Sequence, residues 1–378
     1  MVKELIALDT PALVLDRRKL ESNARRMIER AHGLGVRLRP HLKTLKSIDA
    51  ARIAVDPQHG GIAAATLNEA EYFARAGFED IQYAVCIVPQ KLKRVARIHA
   101  QASRFSAFLD SVETATAVAR FAQQHAVPLR IWIEIDSGEH RTGAEPDGAE
   151  LLAIAGALTA PVVLEGVATH AGHSYAARSV EEMTAIAEQE RRAVVHAAER
   201  LRAAGFPIEG VSAGSTPTAT FLRSAEGLTE LRAGVYLAGD LFQAALGTIS
   251  RDDTAVSVLA TVISHQRARG QIVVDAGSLA LSNDRSTARI PGRDCGYGLV
   301  LDIDANASFG GLLVDGVHQE HGEIRGVEDA LFDALPIGSK VRILPNHACM
   351  TAARYDRYAV VAEGRAVIGD WPRTNGWD

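Results

Sequence analysis

The chain has 378 residues, of which 47% are hydrophobic, 23% charged and 5% aromatic. That length allows two or three domains, each able to bury a core without disulfides or a structural metal. Forty-one basic residues against 46 acidic ones give a net charge of −5, so the chain offers no basic surplus for binding nucleic acid.

Cysteine content and hydropathy exclude further classes of protein. Cys86, Cys295 and Cys349 are too few and too scattered for a disulfide framework. The N-terminus carries acidic residues where a signal peptide needs an apolar run, and no stretch approaches the ~18 apolar residues that span a bilayer. We therefore expect a cytoplasmic protein with no membrane segment.

From about residue 36 to 236, short apolar runs alternate with helical segments rich in alanine and arginine. The clearest helix is expected from Ser179, where Ser-Val-Glu-Glu predicts a capping box, to near Gly205. Most apolar runs are continuous, which is typical of parallel strands covered on both faces. They lie at 36–40, 61–65, 80–85, 104–110, 129–136, 162–170, 208–214 and 228–236. Eight such units predict an α/β fold, a (β/α)8 barrel over residues 17–240.

After about residue 240 the pattern changes to strands separated by Gly, Asp or Asn turns, with no long helical period between them. These runs lie at 256–266, 270–278, 307–314, 340–345 and 358–364. They predict a mainly antiparallel β domain, which the early run PALVLD at 11–16 is expected to join. The second predicted domain is therefore 1–16 plus 241–378.

Barrel active sites form at the C-terminal ends of the strands, and several of these ends carry polar or glycine-rich residues. Lys43 follows the first barrel strand, and a desolvated lysine at a barrel mouth can form a Schiff base. Gly214-Ser215-Thr216 can present backbone N–H groups and hydroxyls to a phosphate. A lysine and a phosphate cradle on one rim indicate pyridoxal 5′-phosphate, although a solvated lysine and an ordinary turn would look the same individually.

Seven segments together resemble the fold-type-III pyridoxal phosphate enzymes, within the branch of D-serine dehydratases, 3-hydroxy-D-aspartate dehydratases and D-threonine aldolases. The resemblance covers essentially the whole chain. The segments are RPHLKTLKS, IEIDSGEHRTG, THAGHSYA, SAGSTPT, ELRAGVY, HQEHG and PNHAC.

The resemblance implies specific roles for the rim residues. Lys43 would hold the cofactor covalently, Arg141 would contact its 3′-oxygen and Arg232 would face the pyridine nitrogen. The phosphate would be held by Gly214, Ser215, Thr216, Gly234, Val235, Tyr175 and Tyr236, while His170 would order its neighbours. Leu45 departs from the family, because many relatives have a second histidine there.

His347 and Cys349 lie two residues apart after the run KVRILP. A lone His-x-Cys is a weak metal signal by itself. In the dehydratases of the branch that this chain resembles, a His and a Cys hold zinc, whereas the aldolases tend to have Asp, which suits manganese or magnesium. The resemblance therefore implies a divalent metal, with zinc favoured over Mn or Mg.

The expected function is that of a metal-dependent lyase that dehydrates a β-hydroxy D-amino acid, either D-serine or D-threo-3-hydroxyaspartate. The alternatives are a D-threonine-type aldolase, which uses the same residues differently, and a non-catalytic pyridoxal phosphate carrier. A racemase is disfavoured because the stretch SHQRARG lacks the tyrosine that alanine racemases use as a second base. The resemblance also implies a homodimer.

Overall fold

A computed structural model describes residues 4–305, 309–362 and 364–377. The chain divides into two compact units. Of the described residues, the barrel unit comprises 25–43, 54–234 and 374–377, and the β unit comprises 4–24, 44–53, 235–305, 309–362 and 364–373. The sequence predicted a barrel over residues 17–240, whereas residues 17–24, 44–53 and 235–240 group with the β unit. For residues 44–53 the cause is local bonding, since the Leu45 carbonyl accepts hydrogen bonds from Tyr358 and Arg373.

The strands occur in two sheets. The first strand, β1, belongs to the β unit, and β2 to β9 form the barrel. Their bounds are β1 Ala12–Asp16, β2 Arg37–Pro40, β3 Ile62–Ala64, β4 Asp80–Cys86, β5 Arg104–Leu109, β6 Arg130–Glu134, β7 Val163–Ala168, β8 Gly210–Ala213 and β9 Glu230–Ala233. Each predicted barrel strand is confirmed.

The barrel is a parallel sheet in the order β2-β9-β8-β7-β6-β5-β4-β3. A parallel bridge between His41 and Ala63 joins the end of β2 to β3. The Leu42 N–H also donates to the Ala63 carbonyl at 2.9 Å. These contacts bring the two edge strands together, so the predicted barrel is confirmed.

Trp132 on β6 fills the barrel interior and is 1% exposed. A Cβ atom on Gly210 would lie 2.1 Å from its ring, and one on Gly166 would lie 2.7 Å from it. The indole N–H donates to Glu165 at 2.8 Å, which satisfies the buried polar group. The two glycines therefore make room for a tryptophan in the core.

Helices alternate with the barrel strands. Their bounds are α1 Arg17–Gly33, α2 Ile48–Ala54, α3 Leu67–Arg75, α4 Leu92–His99, α5 Val112–His125, α6 Ala149–Ala157, α7 Val180–Ala203 and α8 Thr216–Phe221. The expected long helix is α7, and the Ser179 side chain accepts from the Glu182 N–H as predicted. The Glu182 carboxylate instead accepts from the Arg178 N–H at 2.6 Å, so only half of the capping box forms as predicted.

The β unit contains the remaining elements. They are α9 Leu241–Ala245, β10 Val256–Gln266, β11 Gln271–Val274, α10 Ser278–Leu281, β12 Gly298–Leu301, β13 Leu313–Val314, β14 Gly316–Val317, β15 Gly322–Ile324, α11 Asp329–Ala334, β16 Lys340–Pro345, α12 Ala348–Ala352, β17 Arg357–Val361 and β18 Val367–Pro372. The main path through the sheet is β13-β12-β16-β10-β1-β17-β18.

The early strand β1 lies between β10 and β17. Leu13 pairs with Val258 in the antiparallel ladder, and Val14 pairs with Ala359 in the parallel one. Val14 and Leu15 are fully buried there. The expectation that the N-terminal run joins the C-terminal β domain is therefore confirmed.

One predicted strand, 307–314, is largely wrong. Residues 309–311 form a 3-10 turn in which Gly310 has φ +65°, and the strand is limited to β13. Residues 307 and 308 lie outside the described ranges. Four short strands, β12, β14, β15 and β18, were not predicted. Among the described residues, no helix is long and apolar enough to cross a bilayer.

Candidate active site

Lys43 lies just beyond the C-terminal end of β2, and its side chain is exposed. The preceding residues hold this segment against the barrel, since the His41 N–H donates to the Ala233 carbonyl at 2.7 Å. The Lys43 N–H points back to His41 Nδ1 at 3.5 Å. A rigid backbone thus presents an accessible amine at the end of the barrel where active sites form.

Two glycines shape the adjacent strand ends. Gly214, after β8, has φ +134°, and a Cβ there would lie 2.7 Å from the Arg232 carbonyl oxygen. A Cβ on Gly234, after β9, would lie 2.6 Å from the His41 carbonyl oxygen. A side chain at either position would collide with backbone. The two glycines therefore let the chain segments pack closely at the C-terminal end of the barrel, which is where the phosphate end of pyridoxal phosphate is expected.

Ser215 and Thr216 begin α8 and are both buried. The Ser215 hydroxyl accepts from the Thr218 N–H at 3.2 Å and lies 2.9 Å from the Ser174 hydroxyl. The Ser215 N–H donates to Thr218 Oγ1 at 2.8 Å. Ser215 therefore uses most of its hydrogen bonds to cap α8. Its predicted contact with a phosphate stays a prediction.

Glu190 on α7 supports this loop from behind and was not found from the sequence. Its carboxylate is 2% exposed and accepts the N–H groups of Ala171, at 2.7 Å, and Gly214, at 3.1 Å. Burial raises the pKa of Glu190, while these hydrogen bonds and that with Thr218 oppose the rise. One carboxylate therefore ties together the loops that follow β7 and β8. Nothing in the helix sequence distinguishes Glu190 from a solvated glutamate.

His170 follows β7 and is partly buried. Its Nδ1 lies 3.0 Å from the Gly214 carbonyl, which can only accept, so Nδ1 carries the proton of that bond. Burial, followed by the positive charge of Lys43 and of Arg232, lowers the pKa of His170 to about 3. The imidazole is therefore neutral at pH 7 and orders the Gly214 loop.

Arg232 on β9 is 4% exposed. Its guanidinium donates to Gln82 Oε1 at 3.1 Å and to the Thr169 carbonyl at 2.8 Å, and it lies over the Phe108 ring at 4.9 Å. Burial lowers the pKa of Arg232, and the carboxylate of Glu230 opposes that shift. The side chain is fixed, but its predicted contact with the pyridine nitrogen stays a prediction.

The remaining predicted cofactor residues lie in turns. Arg141 is exposed and its guanidinium is 3.5 Å from Glu139, while Tyr175 lies in the 3-10 turn Gly172–Ala176. In that turn His173 has both ring nitrogens buried without a hydrogen-bond partner among the described residues. Val235 and Tyr236 follow Gly234 directly, are buried and belong to the β unit.

The β unit brings His347 and Cys349 together with a carboxylate. His347 Nδ1 is 2.9 Å from Asp284 Oδ2, and Cys349 Sγ is 3.0 Å from Thr44 Oγ1. Burial lowers the pKa of His347, but hydrogen bonds with Asp284 and Cys349 outweigh it and raise that pKa to about 11. The fully buried Asp240 accepts the Ala348 N–H at 2.9 Å and so holds the segment between the two residues.

An imidazole, a thiol and a carboxylate are the donor types that zinc accepts, so these residues fit a divalent metal. Asp284 was not found from the sequence, because an aspartate in a polar turn gives no signal of its own. Its pKa falls to about 2, since burial is outweighed by its hydrogen bonds with His347 and Ser286. The carboxylate is therefore ionised at pH 7.

Two family models match the chain. One, described as the alanine racemase N-terminal domain, matches residues 15–241, and the other, a serine dehydratase domain, matches residues 255–361. The chain therefore belongs to the family that combines an alanine-racemase-type N-terminal domain with a serine dehydratase domain. The resemblance stated from the sequence motifs is thus confirmed, and with it the assignment to the fold-type-III pyridoxal phosphate enzymes.

Relatives in this family are similar over nearly their whole length. D-threo-3-hydroxyaspartate dehydratase of Delftia sp. strain HT23 is 42% identical over 100% of both chains. Its solved structure has a TM-score of 0.94 and covers 99% of this chain and 100% of the other. D-serine dehydratase of Dictyostelium discoideum is 31% identical over 98% of both chains. The structure of D-threonine aldolase from Filomicrobium marinum is 26% identical, with a TM-score of 0.85 and coverage of 99% and 97%.

A D-threo-3-hydroxyaspartate dehydratase has also been solved as two alanine variants, one at a histidine and one, in the metal-free form, at a cysteine. Because the curated relatives are lyases of one fold, this chain is a pyridoxal-phosphate-dependent lyase, as expected from the sequence.

Proposed function

We propose that this enzyme dehydrates a β-hydroxy D-amino acid to a keto acid and ammonia, with D-threo-3-hydroxyaspartate or D-serine as its substrate. The observation that carries the proposal is the cluster of His347, Cys349 and Asp284 in the β unit. A thiol favours zinc, and zinc as a Lewis acid assists departure of a hydroxyl group. The similarity to the Delftia dehydratase along the entire chain supports the same reaction.

The two solved variants of a D-threo-3-hydroxyaspartate dehydratase support a metal role for the pair. They change a histidine and a cysteine that are two positions apart, and the cysteine variant is the metal-free one. His347 and Cys349 have the same spacing. We infer that both are ligands of a divalent ion, zinc in the first instance, with the Asp284 carboxylate fixing the His347 ring.

The barrel residues would supply the remaining chemistry. Pyridoxal phosphate, when bound, withdraws electrons from the α-carbon of the substrate. Lys43 would hold the cofactor and, once the substrate amine has replaced it, Lys43 Nζ would take the α-proton. Loss of hydroxide from Cβ, with uptake of one proton, gives water. Hydrolysis of the resulting enamine returns that water and yields the keto acid and ammonia.

The backbone around Gly214 and Gly234 would bind the phosphate, and Glu190 would keep the Gly214 loop in place. Neutral His170, through its hydrogen bond to the Gly214 carbonyl, would fix the same loop without adding positive charge beside Lys43. Arg141 would reach the cofactor 3′-oxygen and Arg232 the pyridine nitrogen, as the family resemblance implies.

The test is a product assay on the enzyme reconstituted with pyridoxal phosphate and zinc. D-threo-3-hydroxyaspartate, D-serine and D-threonine are supplied separately, and keto acid, ammonia, glycine and aldehyde are measured with and without chelator. We expect keto acid and ammonia in equal amounts from one of the first two substrates, with the rate falling at least about 100-fold after chelation.

Cys349→Ala should reproduce the chelated rate, whereas Cys295→Ala, which changes a thiol that donates to the Arg293 carbonyl at 3.3 Å, should not. Glycine and aldehyde without keto acid would replace this proposal with an aldolase. Such an outcome is the main alternative, because an aldolase shares the fold at a TM-score of 0.85.

We also propose a homodimer, as in the family that the sequence resembles. Light scattering coupled to size exclusion should give twice the mass of one chain. A monomeric mass at micromolar concentration would contradict it.

A further inference from the structure

A second group of potential metal ligands lies in the barrel unit, away from Lys43. His32 is in the last turn of α1, and Asp56 and His59 lie in the turn between α2 and β3. Their donor atoms all lie within 4.8 Å of one another. Val36, Arg37 and Thr229, at the N-terminal ends of β2 and β9, line the same cavity as the two histidines. The group therefore lies at the end of the barrel opposite to Lys43.

Asp56 is a fully buried carboxylate, 0% exposed. Its Oδ2 is 2.7 Å from His32 Nε2, and its Oδ1 accepts the Gln58 N–H at 3.0 Å. His32 is the only ion-pair partner of Asp56 among the described residues. Burying a carboxylate without a lysine or arginine is costly, and a metal ion bound to it would offset that cost.

The turn fixes two of the three ligands. The Gly60 N–H donates to the Asp56 carbonyl at 2.8 Å, and the His59 N–H donates to it at 3.3 Å. Gly60 and Gly61 then have φ +60° and +84°, which lets the chain turn sharply into β3. The His59 side chain is exposed, and its ring centroid lies 5.7 Å from that of His32 with the planes at 86°. A small rotation of an exposed ring would complete the ligand set.

There is room for further ligands. A solvent-open cavity of about 400 Å³ is lined by His32, His59 and Gln58. Arg37 also lines it, but its guanidinium is bonded to Glu230 at 2.9 Å and so does not compete for Asp56. Water or a small anion can therefore occupy the open coordination positions.

We propose that His32, Asp56 and His59 form a second metal site, which binds one divalent ion of the zinc class through two imidazoles and one carboxylate. Three protein ligands with an open position form a normal zinc coordination set. The ion would replace the hydrogen bond between His32 and Asp56. It would also tie the end of α1 to the turn between α2 and β3, and so stabilise the barrel.

The chain offers two useful comparisons. His196 Nε2 lies 2.6 Å from Asp147, and both side chains are exposed. The described residues supply no third ligand there, so His196→Ala is a matched control. Asp136, His140 and Glu145 also have ligand atoms close together. There the Asp136 carboxylate already accepts the N–H groups of Gly138 and His140, and His140 is 74% exposed.

The experiment measures zinc per chain after equilibrium dialysis of tag-free holoenzyme, with calorimetric titration of ZnCl₂ for affinity. The wild type should hold two equivalents, and His347→Ala/Cys349→Ala should hold one. Adding His59→Ala to that double variant should weaken the remaining site at least about tenfold, whereas adding His196→Ala should not change it. Zinc should raise the melting temperature of the double variant, and His59→Ala should abolish that rise.

The result that would overturn the site is a double variant that binds no zinc. Binding that survives both His32→Ala and His59→Ala, or that disappears in His140→Ala, would also overturn it. If the His347 and Cys349 metal site of the proposed function fails instead, the wild type should hold a single equivalent that His59→Ala removes. Keto acid formation reports on the proposed function alone, so the two failures are distinguishable.

Discussion

Glycines in the barrel serve opposite purposes at the two ends of its strands. Toward the N-terminal side, Gly166 and Gly210 leave a space that the Trp132 ring fills. At the C-terminal ends, Gly214 and Gly234 leave bare backbone beside other backbone. One pair lets a large side chain pack, and the other keeps side chains away from the candidate cofactor site.

Charged residues also have different roles at the two ends of the barrel. Arg39 on β2, 4% exposed, lies 2.6 Å from Asp80 and 3.0 Å from Glu230, so the buried charges there are paired. Lys43 at the other end is exposed. The comparison separates residues that stabilise the barrel from residues that are available for chemistry, and each prediction below tests one side of it.

Lys43→Ala should have the largest effect on activity. Removing the amine takes away both the covalent attachment of the cofactor and the base, so we expect the rate to fall by at least about 10³. The visible absorbance of bound pyridoxal phosphate should be lost, while the melting temperature should change little. Lys93→Ala, at an exposed position of α4, is the control and should keep both. A Lys43→Ala variant with normal absorbance would remove Lys43 from the site.

Gly210→Ala should have the largest effect on stability. The added Cβ would lie 2.1 Å from the Trp132 ring, which other core atoms hold in place. We expect the free energy of unfolding to fall by about 3 kcal/mol, measured by urea denaturation. Gly156→Ala on α6 is the matched control, because nothing lies within 4 Å of its added Cβ. It should be neutral or stabilise the helix by about 0.5–1 kcal/mol.

Gly214→Ala should instead weaken cofactor binding. Its φ of +134° strains any side chain, and the Cβ would displace the Arg232 carbonyl that it meets at 2.7 Å. We expect the dissociation constant for pyridoxal phosphate to rise by about 10–100-fold, which corresponds to roughly 1.4–2.8 kcal/mol. Gly77 also has a positive φ, +87°, but nothing lies within 4 Å of its added Cβ, so Gly77→Ala controls for a positive φ without a collision. Equal dissociation constants for pyridoxal phosphate in the two variants would contradict a role for Gly214 in phosphate binding.

Much of this arrangement could be predicted from the sequence, because its signals are local. The eight barrel strands are apolar runs, and β1 is one as well, so each was identified. Lys43 and Gly214 follow such runs and therefore lie at strand ends. The strands β14, β15 and β18 were missed because none of them is a continuous apolar run: they read Gly-Val, Gly-Glu-Ile and Val-Ile-Gly-Asp-Trp-Pro. The fourth, β12, has only four residues between turns. Exposure alternates along β18, which also ends in a proline.

Glu190 and Asp284 were missed for a different reason. Each is a carboxylate whose role depends on partners distant in sequence. Glu190 binds the Ala171 and Gly214 N–H groups, and Asp284 binds the His347 ring. Their surroundings along the chain are polar, which is also typical of solvated residues. Their hydrogen-bond partners distinguish them, and only the tertiary fold brings those partners together.

The pH dependence of stability should show the contribution of His170. Its pKa is about 3 in the folded chain and returns to its ordinary value of 6.5 on unfolding. Between those values the unfolded chain binds a proton that the folded chain does not. Above pH 6.5 the two states bind the same number, so the destabilisation begins only as the pH falls below 6.5 and grows toward pH 3.

The measurement is urea denaturation of cofactor-free wild type and His170→Asn at pH 7.5, 6 and 5. The free energy of unfolding of the wild type should fall relative to that of the variant by up to about 1.4 kcal/mol per pH unit below 6.5. His125→Asn, on the exposed last turn of α5, is the control and should follow the wild type. A His170→Asn variant that also follows the wild type would mean that folding does not lower the pKa of His170. The Gly214 loop would then gain a positive charge beside Lys43 as the pH falls below 6.5.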